Sequence, residues 1–331
     1  MLTSRKAIEI QTDNKEVWGL TFSHDGREIF GSSYSGGWLR HWNVEDGKEA
    51  GTVANVPMGP VLAIASSKDG RWIVHGDGQV VVVRNAASPW QQVFRVRQHP
   101  GRVDGVDISP DSARFASVSA DGSLLVFSIT TGEKLLGPIQ HGEWLTAVKF
   151  SPSGEYIATA SSSSRVRVWD AKTGSRLSEI TRSSQQHWSH APLAWSSDSK
   201  RLFYVTLDGK VTCHDISTSK VIREWILLIN DPTYCSLATN GRFLACSTPI
   251  SLSFWDTSSY TRIGLPIEVE GGIYGVALSS DDCYFAGGGR GKITIYTTQD
   301  VVFLDASIRL HSLLKHSLIH PSPPLASHSC K

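Results

Sequence analysis

Two short segments carry the residue types that phosphate or metal chemistry needs. "GGGRGKIT", residues 287–294, has the glycines and lysine of a phosphate-binding loop, but its glycine spacing is wrong, Ile293 follows the lysine, and no helical pattern follows. "HWSH", residues 187–190, places two imidazoles three residues apart, with no cysteine or third ligand nearby. We therefore expect a hairpin turn in the first segment and structural or solvent-exposed histidines in the second, and we predict no metal and no cofactor.

Other catalytic patterns are also missing from the sequence. It contains no G-x-S-x-G, no H-E-x-x-H and no EF-hand loop. We predict that the protein is not an enzyme. The alternative, from a different class, is a propeller enzyme or small-molecule binder that acts at the mouth of a central channel.

Charge, hydropathy and cysteine usage narrow the partners and the compartment. The 32 basic and 31 acidic residues leave a net charge of +1, so we expect no direct nucleic-acid partner and no membrane partner. The five cysteines are odd in number and show no C-x-x-C spacing, and residues 1–10 lack the apolar core of a signal peptide. We expect buried, reduced thiols and an intracellular, cytoplasmic protein, with the nucleus as the alternative location.

The chain repeats one sequence pattern seven times. This repeat determines the secondary-structure elements that would position any functional site. "VWGLTFSHDG" and "LTAVKFSPSG" align with each other and with five further stretches. We number the copies one to seven by their first residues: Val17, Val61, Val103, Leu145, His190, Pro232 and Ile273. Corresponding positions in neighbouring copies stand 41 to 45 residues apart, a period typical of repeat architectures.

Each copy before the seventh contains four short runs of strand type separated by turn residues. In copy three the runs end at Ser109, Ser119, Ser128 and Ile139, and the turns are "SPDS", "ADG" and "TTGE". No apolar stripe of helical period runs through the repeats, which excludes a helical repeat. We predict an all-β chain of four-stranded antiparallel sheets that stack radially, because one sheet alone cannot bury both of its faces.

The D-G turns, the strand ending "RVRVWD" at Asp170 and the period of about 42 residues resemble WD40 repeats. The resemblance implies a seven-bladed WD40-like β-propeller with four-stranded antiparallel blades over residues 1–300. Copy seven lacks a fourth run, and residues 7–11 alternate like an unpaired strand before copy one. We expect the last blade to be closed by this N-terminal strand, with residues 7–11 beside residues 292–297.

Family members often tie a blade together with Trp, Ser or Thr, His and Asp. The resemblance places two incomplete sets in this chain: His99, Ser119 and Asp121 in copy three, and His141, Ser161 and Trp169 in copy four. Three tryptophans that end third strands, Trp42, Trp169 and Trp255, are expected to pack between blades.

Positions at the start of the innermost strands are similar to those from which family members contact partners on the narrower face. We located these positions in each copy of the repeat. The predicted partner-binding face consists of Glu16, Trp18, Leu62, Arg102, Asp104, Trp144, Thr146 and Tyr274. Aromatic and arginine side chains dominate the energy of protein interfaces. The alternative is that these side chains simply line the channel mouth.

These features predict a non-catalytic protein-interaction scaffold, a monomeric propeller within a complex, whose protein partner is unknown. The sequence segment "LGPIQHGEWLTAVKFSPSGEYIATASS" is also similar to propeller repeats attached to fungal NACHT-type receptor ATPases. That resemblance implies a ligand-sensing propeller of a fungal receptor system, whereas an isolated propeller is the alternative.

Residues 301–331 form a non-repeat C-terminal tail. They contain four histidines and the proline-rich "HPSPPL" but no copy of the repeat. We expect the tail to be partly disordered or to form a short helix over residues 307–319.

Overall fold

The alternating and fully apolar runs of the repeats form strands. The computed structural model describes residues 8–35, 37–51, 54–55, 59–86, 91–163, 165–181, 192–206, 209–227, 235–269 and 271–298, and the elements assigned within these residues are 27 β-strands. The predicted tail, residues 301–331, lies outside the described residues, and so do His187 and His190. No helix of the described part is long and apolar enough to cross a membrane.

Five four-stranded antiparallel sheets correspond to copies two to six. Copy two forms β5 (Ile64–Ser66), β6 (Trp72–Asp77), β7 (Val80–Asn85) and β8 (Gln92–Val96). Copy three forms β9 (Val103–Ile108), β10 (Arg114–Ser119), β11 (Ser123–Ser128) and β12 (Lys134–Gln140). Copy four forms β13 (Leu145–Phe150), β14 (Tyr156–Ser161), β15 (Arg165–Asp170) and β16 (Arg176–Thr181). Copy five forms β17 (Leu193–Trp195), β18 (Arg201–Val205), β19 (Lys210–Asp215) and β20 (Lys220–Ile226). Copy six forms β21 (Ser236–Thr239), β22 (Phe243–Ser247), β23 (Ser251–Asp256) and β24 (Arg262–Glu268).

The sixth sheet has seven strands, where seven separate blades were predicted. Its strands in spatial order are β25 (Gly275–Leu278), β26 (Tyr284–Gly288), β27 (Arg290–Thr297), β1 (Ile8–Phe22), β2 (Glu28–Ser33), β3 (Trp38–Asn43) and β4 (Ala54–Asn55). The described residues therefore form six sheets rather than seven. The two counts differ because β1 is one continuous strand that belongs to copies seven and one together.

The predicted N-terminal closure is confirmed for residues 8–11. The first part of β1 pairs with β27, with Ile8 opposite Ile295 and Gln11 opposite Lys292, and Ala7 lies outside the described residues. After a register shift the second part of β1 pairs with β2. The predicted hairpin turn at residues 287–294 is also confirmed, since β26 and β27 are antiparallel neighbours across Gly289.

The innermost strands of the copies contact one another in a closed cycle. The contacts run from β1 to β5, β9, β13, β17, β21 and β25, and from β25 back to β1. Hydrophobic cores lie between neighbouring copies: Val83 of copy two packs with Phe115 of copy three, and Ala116 of copy three packs with Trp169 of copy four. Each sheet thus buries both faces against its neighbours, as the repeat pattern predicted.

A left-handed backbone residue ends the first turn in all seven copies. The residues with positive φ at this position are Gly26, Gly70, Ser112, Gly154, Ser199, Gly241 and Asp282. In most copies a serine hydroxyl three residues earlier binds the turn aspartate, as Ser23 Oγ does to Asp25 Oδ1 at 2.6 Å. The same serine oxygen accepts the N–H of Glu28 at 2.9 Å. These bonds explain why a serine followed two residues later by an aspartate recurs in the first turn of five copies.

The two incomplete polar sets form, but with a different hydroxyl from the one predicted. His99 bonds Ser117 Oγ at 2.8 Å, and His141 bonds Thr159 Oγ1 at 3.2 Å. Ser119 and Ser161 were the wrong choices because each lies at a strand end, where its hydroxyl accepts a backbone N–H of the following turn.

The packing predictions for tryptophan and cysteine hold in part. Trp42 and Trp169 are buried between neighbouring copies as predicted, whereas Trp255 is only half-buried. Cys235 and Cys246 are buried free thiols, as predicted, and Cys283 is an exposed free thiol.

The N-terminal closure can be tested at Ile10, whose side chain is buried with those of Ile293 and Ile295. We expect Ile10→Ala to lower the free energy of unfolding by about 2–5 kcal/mol, because it leaves a cavity at the junction of β1 and β27. Gln11→Ala is the matched control, since Gln11 is exposed on the same strand, and it should change stability by less than about 0.5 kcal/mol. Equal urea midpoints for the two variants would contradict the closure.

Buried histidines make the fold sensitive to acid. His75 is fully buried, its Nε2 accepts the Nε–H of Arg84 at 3.0 Å, and its Nδ1 lies 3.1 Å from the carbonyl oxygen of Gly76. Burial, together with the charge of Arg84, lowers the pKa of His75 to about 4. Burial likewise lowers the pKa of His141 to about 4. Both imidazoles are therefore neutral in the folded protein near neutral pH.

Stability should stay constant above pH 6.5 and fall as the pH drops from 6.5 towards 4. The unfolded chain binds protons at these histidines in this range and the folded chain does not, which costs roughly 3 kcal/mol at His75 alone. Calorimetry on wild type and His75→Gln checks this, since the variant should lose less stability between pH 6.5 and 5. His24→Gln, at an exposed histidine, is the control. A pH profile that His75→Gln leaves unchanged would contradict the assignment.

Candidate functional site

The innermost strands enclose a channel that residues of all seven copies line. Its cavity volume is about 160 Å³. The lining mixes apolar residues such as Ile64 and Val106 with polar residues such as Lys149 and Ser236. Five of the eight residues of the predicted partner-binding face also line it: Trp18, Leu62, Asp104, Thr146 and Tyr274. The predicted positions are therefore brought together at one end of one channel.

An aromatic pair lies where copies seven and one meet. The ring centroids of Trp18 and Tyr274 are 4.9 Å apart at an angle of 32°, and both side chains are half-buried. Trp18 Nε1 donates to Glu16 Oε2 at 3.3 Å. Offset ring contacts of this kind hold large apolar surfaces in a fixed orientation.

A polar group lies at the start of β9 and β13. Arg102 Nε donates to Asp104 Oδ1 at 2.5 Å, and Trp144 Nε1 donates to Asp104 Oδ2. The Arg102 guanidinium stands over the Trp144 ring, 5.4 Å from the ring centroid. Both carboxylate oxygens of Asp104 are thus used within the protein, and its side chain is 1% exposed.

The electrostatics of this pair follow from burial and pairing. Burial raises the pKa of Asp104 above its ordinary value, although the hydrogen bonds from Arg102 and Trp144 oppose the rise. Burial lowers the pKa of Arg102, but the hydrogen bond and charge of Asp104 outweigh it, so the net shift is upward. Arg102 therefore stays a cation, with a side chain 31% exposed.

Tyr34 connects the aromatic pair with the polar group around Arg102, and it was not predicted as a site residue from the sequence. Its ring centroid lies 6.2 Å from that of Trp18, and its hydroxyl interacts with the Arg102 guanidinium. Tyr34 is 45% exposed, in the turn between β2 and β3. The aligned turn residues in copies three and four are Ala120 and Ser162, so a large side chain at this position was the available signal. We call the five residues Trp18, Tyr34, Arg102, Trp144 and Tyr274 the mouth cluster.

Three predicted residues are less accessible than a partner-binding role requires. Leu62 is 7% exposed, and Asp104 and Thr146 are each 3% exposed. Thr146 Oγ1 donates to the carbonyl oxygen of Ala160 at 3.4 Å. Glu16, Trp18, Arg102, Trp144 and Tyr274 remain half-exposed at the mouth.

The described residues contain no group of three or more His, Cys, Asp and Glu side chains that could hold a metal ion. The mouth instead offers aromatic rings and a fixed guanidinium. Such an arrangement suits non-covalent recognition.

Two stretches of the chain, residues 90–128 and 133–170, match the family described as "WD domain, G-beta repeat". They run from the end of copy two to the third strand of copy four. The match therefore falls on the two copies that supply Arg102, Asp104 and Trp144.

Curated relatives match parts of the chain. "WD repeat-containing protein 1" of Bos taurus is 28% identical over 38% of this chain and 21% of its own length. "Protein hir1" of Schizosaccharomyces pombe is 26% identical over 60% of this chain and 25% of its own length. "Small ribosomal subunit protein RACK1y" of Oryza sativa subsp. japonica is 28% identical over 37% of each chain. The chain thus spans between about a fifth and just over a third of the length of these relatives.

A solved structure described as "Structure of U3-55K" superposes on most of the chain. The TM-score is 0.76 at 18% sequence identity, and the superposition covers 88% of this chain and 98% of that one. At this identity the likeness shows the fold alone. The predicted all-β propeller is confirmed in this respect, while the predicted number of seven blades is not.

Gly275 keeps the wall of the site closed next to Trp18. A Cβ at Gly275 would lie 2.3 Å from the carbonyl oxygen of Trp18, so Gly275→Ala must push β25 away from β1. We expect a loss of about 1–3 kcal/mol in stability and a changed near-ultraviolet circular dichroism signal from the tryptophans. Gly287→Ala in the same copy is the control, because its Cβ would meet nothing closer than 3.8 Å. Equal effects of the two variants would refute this close approach.

Proposed function

Because this chain is a β-propeller that carries WD40 repeats, we propose that it is a non-catalytic scaffold for protein–protein interaction and that a protein partner binds at the mouth cluster. The observation that carries the proposal is the arrangement of four aromatic rings and one arginine around the end of a single channel. Trp, Tyr and Arg are the residue types most enriched among residues that dominate binding energy.

Rigidity supports this function. Trp18 lies on β1 and Tyr34 in the turn after β2, and the other three members of the mouth cluster directly precede the innermost strands β9, β13 and β25. The five side chains also contact one another. A surface fixed before binding loses little conformational freedom when a partner covers it. The binding energy would come from burial of the half-exposed faces of Trp18, Tyr274 and Trp144.

The absence of catalysis is part of the proposal. Asp104 is the carboxylate of the channel wall whose pKa burial raises, a feature that can mark an active site. Here both of its oxygens accept hydrogen bonds from Arg102 and Trp144, so it is engaged in a structural pair. An enzyme acting at the channel mouth is the alternative, and stoichiometric metal in the purified protein would favour it.

The finer features of the fold belong to the same proposal. We propose seven blades, since the seven-stranded sheet divides at the register shift within β1 into two sets of four strands that share this strand. We propose that the mouth cluster lies on the narrower face of the propeller. A monomeric propeller in a cytoplasmic complex is the setting we propose.

A ligand-sensing role in a fungal receptor system is the narrowest version of the proposal. It rests on the amino-acid sequence of residues 136–162, which is similar to the repeats of receptor ATPases of the NACHT type. In that case the mouth cluster would meet the ligand. An antibody to the propeller should then detect an endogenous protein much larger than 36.2 kDa. A band at this mass would favour the isolated propeller.

The face can be tested by affinity purification of the intact chain from its own cells, followed by mass spectrometry. We expect at least one protein recovered with the wild type to be lost with the double variant Trp18→Ala, Trp144→Ala, because the variant removes two of the aromatic anchors. The matched control is Ile226→Ala, Leu265→Ala, which removes exposed apolar side chains from the outer strands β20 and β24.

The outcomes separate the surfaces. A partner that the double variant loses and the control retains supports the mouth cluster. Recovery that only the outer-strand control reduces would move the binding surface to the sheet edges and would refute the proposed face. Circular dichroism melts must show that each variant is folded.

A further inference from the structure

Arg102 is held in a way that leaves most of its donors unused. Its Nε donates to Asp104, one face of its guanidinium lies on Trp144, and Tyr34 interacts with it from the side of copy one. Among the described residues no second carboxylate pairs with Arg102. A guanidinium has five N–H donors; Nε uses its one donor on Asp104, and the Tyr34 hydroxyl is a further hydrogen-bond partner, so the Nη groups still retain donors for a planar acceptor.

We propose that the mouth cluster binds an acidic side chain of its protein partner and that Arg102 is the residue that receives the carboxylate. This inference rests on the proposed scaffold function and names the chemistry of the partner. Arginine binds carboxylates with two parallel N–H···O bonds when its Nη groups are accessible. Asp104 is a positioning residue in this account, because it fixes the guanidinium through Nε and leaves the Nη edge for the partner.

The acidic groups at the mouth argue against a basic partner. Both oxygens of Asp104 are occupied by donors of Arg102 and Trp144. Glu16 accepts the indole N–H of Trp18 and stands opposite Arg290 in the pairing of β1 with β27. Each carboxylate therefore has a positive or donor group of this chain beside it, whereas the guanidinium has donors to spare.

The surroundings of Arg102 define the rest of the partner segment. Trp18 and Tyr274 offer apolar ring faces on one side, and apolar residues such as Leu62 and Val106 form part of the channel wall. An acidic residue next to an aromatic or large aliphatic residue would satisfy both features at once. Burial of the apolar neighbour would also strengthen the ion pair by excluding water from it.

A peptide selection tests this chemistry without knowledge of the natural partner. A displayed library of random nonapeptides is selected on the intact chain, and the strongest binder is synthesised with and without its acidic residue changed to the amide. We expect Asp or Glu beside an apolar residue in the enriched peptides. The amide peptide should bind wild type about ten- to a hundredfold more weakly, the range for a lost charge-assisted pair.

Protein variants then assign the effect to Arg102. Arg102→Gln should weaken binding of the acidic peptide as much as the change of the peptide's acid to the amide does. In this variant the amide change should have no further effect on affinity. Arg102→Gln, Asp104→Asn removes both charges and guards against misfolding from an unpaired buried carboxylate. In the Asp104→Asn variant, the coupling free energy between the peptide's acidic residue and Arg102 should be smaller than in the wild type. The affinity for the acidic peptide should still fall as salt is added. Arg27→Gln, at a side chain 84% exposed in another turn, should change affinity less than twofold.

The failure of this inference differs from the failure of the proposed function. Peptides enriched in Lys or Arg, peptides without a conserved acid, or no enrichment would overturn the acidic partner. Binding that Trp18→Ala, Trp144→Ala abolishes but Arg102→Gln leaves intact would keep the mouth cluster and reject the role of Arg102. Binding indifferent to both variants would contradict the proposed face as well.

Discussion

The pairing of β1 with both β27 and β2 is the constraint on which the rest of the structure depends. One continuous strand supplies an edge to the last copy and the innermost strand to the first, so the ends of the repeat meet through backbone hydrogen bonds. Trp18 lies on this strand directly after the register shift, and Tyr274 reaches it from copy seven. The closure of the fold therefore also positions two of the five residues of the mouth cluster, Trp18 and Tyr274.

The sequence could predict the parts of the fold that repeat. The period, the polar turn after the first strand and the alternating strands each recur, so the copies can be compared with one another. The strands of copy three lie where the sequence predicted them. The closure by residues 8–11 was predictable because copy seven lacked a strand. The fusion of two sheets through β1 was not, since the register shift between Gln11 and Glu16 has no counterpart in another copy.

The candidate site was less predictable because it depends on side chains that do not repeat. Position in the repeat selected Trp18, Arg102 and Trp144 together with Leu62 and Thr146, and it could not show that the last two side chains are buried. Tyr34 reaches the cluster from a turn of a different strand pair. The pairing of Asp104 with Trp144 joins two copies and needs the packing of β9 on β13.

The central claim is that a protein partner covers the mouth cluster. Site-specific photo-crosslinking tests it most directly: benzoylphenylalanine is placed at Tyr34, which is 45% exposed, or at Leu265, which is 57% exposed on β24. If the partner binds at the mouth cluster, the probe at position 34 captures it in cells and the probe at position 265 does not. Capture from position 265 alone would refute binding at the mouth cluster and would assign binding to the outer strands.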